Sequence, residues 1–225
     1  MSTMPSNVTH LRQTRSFVRR QGRMTDAQRR AIEKLWARYV INMEQVPELL
    51  AADSRQWILE IGFGMGESLS QMAAAEAQCH FLGIEVHRPG IGALLAAMES
   101  RDIDNIHIVC GDALDVLQSY VPDSQFSRIQ VFFPDPWPKK KHHKRRLINP
   151  ENAQLLFDKL ISGGELHIAT DWPNYAEHIE QSVISIKGFS LMADKSRPSH
   201  RPFTKFEQRG ERLGHPIVDL RFIKD

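Results

Sequence analysis

Three carboxylates in this sequence stand where short apolar runs stop. Glu60 follows Trp57-Ile58-Leu59, Glu85 closes the 81–86 run FLGIEV, and Asp112 follows Gly111 at the end of the 106–110 run. Glycines at alternate positions, Gly62, Gly64 and Gly66, come next after Glu60, with Glu67 directly behind them. At such a turn the missing Cβ atoms let backbone approach a ligand and make positive φ tolerable. Singly, each acid also reads as a solvated strand end or a helix cap. Three at successive run ends read as a ligand edge, because open α/β sheets bind ligands at the carboxyl ends of their strands.

A dinucleotide fingerprint places glycines first, third and sixth, with a helix N-terminus on the pyrophosphate. The sixth place here is Glu67. Carboxylates on both sides of the turn suit a cationic ligand better than a diphosphate, and S-adenosyl-L-methionine carries an ammonium and a sulfonium. Glu85, about 20 residues beyond the glycines, is placed to accept from ribose hydroxyls, and Asp112 to meet the adenine amine. The expected cofactor set is therefore Glu60, Gly62, Gly64, Gly66, Glu85 and Asp112.

A fourth apolar run, RIQVFF, leads into Pro134-Asp135-Pro136-Trp137-Pro138 and then KKKHHKRR. In the sheet order expected here this loop borders the same cleft and puts Asp135 beside it, and three prolines preset the chain direction and reduce the entropy lost on ordering it. The Asp-Pro-Trp core resembles the D/N-P-P-aromatic turn of amino-group methyltransferases, but here the second proline lies beyond the aromatic. Lys139, Lys140, Lys141, Lys144, Arg145 and Arg146 place six cations in eight residues. Alone, such a run reads as a solvated or localisation-type segment; beside a reaction centre it reads as phosphate positioning. His142 and His143 are adjacent, with no cysteine or acid cluster at ligand spacing, so no metal site is expected.

The elements that must position these residues follow from pattern. From Trp57 onward strand-like and helix-like runs alternate, which predicts a Rossmann-like α/β fold: a mostly parallel twisted sheet with helices on both faces. Strands are expected near 57–61, 81–86, 106–110, 129–133, 165–169 and 217–223, the last antiparallel. Helices are expected near 68–76, 90–100, 114–120, 151–161 and 175–186. Residues 1–50 read as a basic N-terminal arm and a helix capped by Thr25, and 51–225 as the catalytic domain. Seven arginines against one acid over residues 10–30 suit an arm that orders on phosphates, or a transit peptide.

The chain has 225 residues, net charge +2 and 41% hydrophobic content, values of an ordinary domain plus an extension. Cys79 and Cys110 are expected as two buried thiols in a reducing compartment. No apolar run approaches the roughly 20 residues of a membrane span.

The motifs RSFVRRQGRM, EIGFGMGES, PDPWPKKKHHKRR, GGELHIATD and TKFEQRGERLGH together resemble the bacterial tRNA (guanine-N7)-methyltransferase family, from about Arg15 to Phe222. The resemblance implies a class I methyltransferase fold and transfer of methyl from S-adenosyl-L-methionine to a guanine in the tRNA variable loop. It implies Glu60, Glu85, Asp112 and Asp135 as cofactor carboxylates, with Asp135 at the catalytic position. Substrate contacts fall on Lys139, Asp171, Thr204, Lys205, Phe206 and Glu207, and RNA contacts on Lys141, His142, His143, Lys144, Arg145 and Arg146. Asp171 also reads as a helix cap before Pro173, and Phe206 as core. Guanine N7 exposes a lone pair and has no proton to remove, so positioning and electrostatics should dominate. The implied setting is a cytoplasmic monomer or homodimer that needs no protein partner. Rival readings are a methyltransferase acting on another RNA or a small molecule, and a tRNA-binding protein without turnover.

Overall fold

Trp57–Ile61 has all five residues buried, as expected of a parallel strand covered on both faces. In the computed structural model, which describes residues 16–17, 22–203, 207 and 216–225, this strand, β2, lies near the middle of an eight-stranded sheet. Its neighbours are β3 (His80–Glu85) and β5 (Phe126–Phe132), both parallel to it. Beyond β3 lies β4 (Ile106–Cys110), and beyond β5 lies β6 (Leu160–Thr170), again parallel. The two-residue β1 (Val40–Ile41) closes one edge on β4. At the other edge β8 (Val218–Lys224) runs antiparallel to both β6 and the three-residue β7 (Phe189–Leu191). The order β1-β4-β3-β2-β5-β6-β8-β7 reverses direction between β2 and β5, the topological switch point where open α/β sheets bind ligands.

The period-2 alternation of strand residues separates two cores. Leu59, Ile61, Leu82 and Ile84 pack with α2 (Val46–Ala52), α5 (Ala113–Ser119), α6 (Pro150–Lys159) and α7 (Pro173–Ile184) on one face. Ile58 and Phe81 pack with α1 (Asp26–Tyr39), α3 (Glu67–Ala75) and α4 (Arg88–Arg101) on the other. Met72 and Met98 fill that second core, each 1% exposed. Helix α1 starts at the expected Thr25 cap, which forms a full capping box with Gln28, and packs across α4.

The second face changes character at β5. Register places Arg128 and Gln130 of β5, Glu165 and His167 of β6, and Asp219 and Arg221 of β8 on the same side as Ile58. The connection from β7 to β8 supplies Arg201 and Glu207 to this side, and the apolar core gives way to ion pairs.

Three expectations are corrected. Sequence pattern missed β1 and β7, which are too short to show a period. Pattern also leaves α2 unmarked, and Pro47 sits in its first turn, where a missing N–H breaks no intrahelical bond. Strand β6 begins at Leu160 rather than 165. Phe126 pairs with Leu160 and Arg128 with Glu165, so residues 161–164 bulge out around Gly163, whose φ is +74°.

Candidate active site

The glycine turn joins β2 to α3 with all three glycines in the left-handed region, φ +71°, +57° and +72° at Gly62, Gly64 and Gly66. A Cβ on Gly62 or Gly64 would meet nothing within 4 Å, whereas one on Gly66 would lie 2.6 Å from the Leu94 Cβ. The first two glycines therefore leave space for a ligand, and the third lets α4 pack close. Gly90 completes the packing: its Cβ would stand 2.0 Å from the Gly64 carbonyl.

Glu85 ties the turn to the start of α4. Its Oε2 accepts from the Gly64 N–H at 2.8 Å, and its Oε1 from the Val86 and His87 N–H groups at 2.7 and 2.9 Å. Asp112 is the N-cap of α5, accepting from the Leu114 N–H at 3.1 Å. Glu60 lies deeper. It is 2% exposed, it accepts a 2.8 Å bond from Gln130 Nε2, and burial pushes its carboxyl up to about 7, against the pull of that bond.

A cavity of about 780 Å³ opens at the carboxyl edge, lined among others by Gly62, Gly64, Glu85, Asp112 and Asp135. This volume is in the range of small-molecule sites. Sequence reasoning missed part of the wall: Phe17, Gly22 and Met24 from the N-terminal segment, Met65 of the glycine turn, and Cys110. No spacing marks these residues. Cys110 is half-buried on the wall rather than fully buried like Cys79, and the two are not joined by a disulfide.

Asp135 is exposed on a turn between two non-glycine residues of positive φ, Phe133 at +52° and Trp137 at +44°. Such backbone is costly and collects at functional sites. Several bonds hold the turn in place. The Phe133 N–H reaches the Ala169 carbonyl at 2.8 Å, and Trp137 Nε1 donates to the Ser16 carbonyl at 3.2 Å. Arg146 Nε donates to the Pro136 carbonyl at 3.0 Å, and Arg146 Nη2 to Asn174 Oδ1 at 2.9 Å.

The basic run therefore divides. Residues Lys140–Arg145 form a 3₁₀ turn, with Lys139, Lys140, Lys141 and Lys144 exposed. Arg145 lies over the Trp137 ring at 4.9 Å, and His142 meets that ring edge-on at 5.8 Å. His143 is half-buried. Arg146, grouped by sequence with the phosphate-facing cations, turns inward instead: it is 2% exposed and stacks 4.8 Å over Tyr175. It is held there because it satisfies the Pro136 carbonyl.

Asp171 follows the end of β6, half-buried. It is not the cap of α7, since that position is Trp172, whose N–H donates to Thr170 Oγ1 at 3.2 Å. Glu207 is buried, and both its oxygens accept from Arg201, at 2.6 and 2.7 Å. Arg201 also grips Asp219 through Nε and Nη2, at 2.7 and 2.8 Å. Thr204, Lys205 and Phe206 lie outside the described residues.

The strand order, the glycine turn and the carboxylate-lined cavity at the switch point define a Rossmann-like methyltransferase of class I. Solved structures agree on the fold. The chain matches a precorrin-6y C5,15-methyltransferase from Geobacter metallireducens with TM-score 0.55 at 12% identity, covering 81% of this chain and 86% of that one. It matches an rRNA methylase from Streptococcus thermophilus with TM-score 0.52 at 16% identity, covering 79% and 92%. Residues 54–220 fit the family described as putative methyltransferase. The tRNA (guanine-N(7)-)-methyltransferase of Alcanivorax borkumensis is 49% identical over 221 residues, 95% of this chain and 92% of the relative. That of Nitrosococcus oceani is 50% identical over 210 residues, 92% and 89%. The chain belongs to the tRNA (guanine-N7)-methyltransferase family.

Proposed function

We infer that this protein methylates N7 of a guanine in tRNA, with S-adenosyl-L-methionine as donor, and that the guanine lies in the variable loop. The observation that carries the reading is near-half identity to tRNA (guanine-N(7)-)-methyltransferases along almost the whole chain, joined to a glycine cradle and carboxylates on one cavity. The cradle fits the donor: two glycines leave open space where a Cβ would stand, and Glu85, Asp112 and Asp135 offer acceptors and negative charge to a cationic nucleoside. When bound, S-adenosyl-L-methionine supplies an electrophilic methyl on its sulfonium.

The chain's own work is positioning. Glu85, fixed by three backbone donors, and Asp112, fixed as a helix cap, hold the carboxyl edge rigid. Asp135, on its strained turn, faces the target base and stabilises positive charge developing on the purine. The N7 lone pair needs no general base, so the gain comes from orientation and preorganised charge. Asp171 and the 204–207 run contact the guanine, with Lys139 beside them. The exposed lysines, with His142, His143 and Arg145, meet the RNA backbone. The described residues contain no helix long and apolar enough to cross a membrane, and the setting we propose is the cytoplasm. Incubation with labelled S-adenosyl-L-methionine and unmodified tRNA, followed by nucleoside analysis, should yield 7-methylguanosine. Label in another nucleoside, or none, would overturn the reading.

A further inference from the structure

The polar half of the sheet carries a donor set that this function does not use. His167 is fully buried on β6, with Nε2 2.6 Å from Asp219 Oδ1. Arg201 holds both oxygens of that carboxylate, which keeps Asp219 an ionised acceptor and makes Nε2 of His167 the protonated nitrogen. Its Nδ1 therefore presents a lone pair, and that buried atom has no hydrogen-bond partner among the described residues. The same holds for Nε2 of His200, which is likewise buried. The two rings lie 5.5 Å apart at 81°. Glu165 precedes His167 by two places on the same strand face, and Glu165, His167 and His200 offer ligand atoms that all lie within 4.8 Å of one another.

We propose that Glu165, His167 and His200 bind a divalent transition metal of the zinc class, with solvent completing a tetrahedral shell. Two imidazoles and a carboxylate suit that ion. A ligating histidine characteristically donates its second ring N–H to a carboxylate that fixes tautomer and orientation, and the Asp219–His167 pair has this form. Arg221 bonds both Glu165 oxygens, at 2.6 and 3.1 Å, but each ionised oxygen retains a second lone pair. Local charge admits a cation. Among the described residues the ion pairs of this face balance, with Glu76, Glu165, Glu207 and Asp219 set against Arg128, Arg197, Arg201 and Arg221, so no excess of positive charge opposes the ion. Sequence spacing gave no sign of the site, because His200 lies far along the chain from the β6 ligands and reaches them only through the β7–β8 connection. The role is structural. The ion pins that connection to the sheet next to Arg201, which holds Glu207 of the proposed substrate contacts; this role rests on the proposed function, whereas metal binding itself does not.

The test uses the full chain without an affinity-tag histidine run. The protein is loaded with Zn²⁺, dialysed against metal-free buffer and analysed by elemental mass spectrometry. The wild type should retain about one Zn²⁺ per chain. His200→Ala and Glu165→Gln should lose it with unchanged circular dichroism, and Asp219→Asn should bind on the order of 10–100-fold more weakly. If one variant does not fold, the other decides. No Zn²⁺ on the wild type, or equal retention by folded His200→Ala and Glu165→Gln, would overturn the site and leave the two nitrogens to an ordered water. Wild type that retains Zn²⁺ but forms no 7-methylguanosine would count against the guanine reading, not against the site.

Discussion

Glu60 sits in the buried row beneath the glycine turn, and burial pushes its carboxyl from the ordinary 4.5 to about 7. The folded state thus holds its proton more tightly than the unfolded chain. Its contribution to stability is fully present below about 4.5 and is lost as pH rises through about 7. The whole span corresponds to about 3 kcal/mol, as an order of magnitude. Glu60→Gln mimics the neutral acid and keeps an acceptor for Gln130, so its stability relative to wild type should rise between pH 5 and about 8 in urea titrations. A constant difference across that range would show that Glu60 is ionised throughout. Asp135 makes the opposite case, an exposed acid on a strained turn. Asp135→Ala should leave tRNA affinity near wild type while lowering the single-turnover rate by on the order of 10²–10³. The acids at the strand ends were legible because each follows an apolar run, but their environments were not. Nothing in WILEIG distinguishes a carboxylate held under the turn from one on the cavity wall, since that depends on Gln130 from another strand.

At the scale of elements, the basic segment and the β7–β8 connection each divide labour that sequence presents as uniform. Lys141 and Lys144 are exposed on the 3₁₀ turn, while Arg146 braces the Pro136 carbonyl from inside. Neutralising Lys141 and Lys144 should flatten the slope of log affinity against log salt by roughly 0.7–0.9 per lost phosphate contact. Arg146→Ala should instead leave the slope near wild type and lower thermal stability, because it strips the half-buried Pro136 carbonyl and Asn174 of a partner. Arg201 is the corresponding brace on the other side, with no exposed surface and with Glu207 and Asp219 depending on it. Arg201→Met removes the closest cation from two buried carboxylates, and denaturant unfolding should show a loss of about 3–5 kcal/mol. The run of like charges was legible as a run. Which member turns inward was not, because the deciding acceptors come from Pro136 and from Asn174 in α7.

The whole molecule was legible where periodicity carries the signal. The β2, β3, β4, β5, β6 and β8 strands and the helices between them follow from alternating and helical patterns, and the class of fold follows from their order. The polar half of the sheet was hidden, because Arg128, His167 and Asp219 look like surface residues until register sets them on one face, where Arg201 joins them from the β7–β8 connection. The N-terminal segment was also under-read. Phe17, Gly22 and Met24 line the cavity, so removing residues 1–24 should weaken S-adenosyl-L-methionine binding as well as tRNA binding, measured separately by calorimetry and filter binding. A purely electrostatic arm would affect only the second. The sheet's outermost strands have a further consequence. Two residues at one margin and three at the other leave almost no open ladder on which a second molecule could add a strand. Short margins of this kind disfavour growth by edge pairing into fibrils, which makes the sheet a poor template for polymerisation at high concentration.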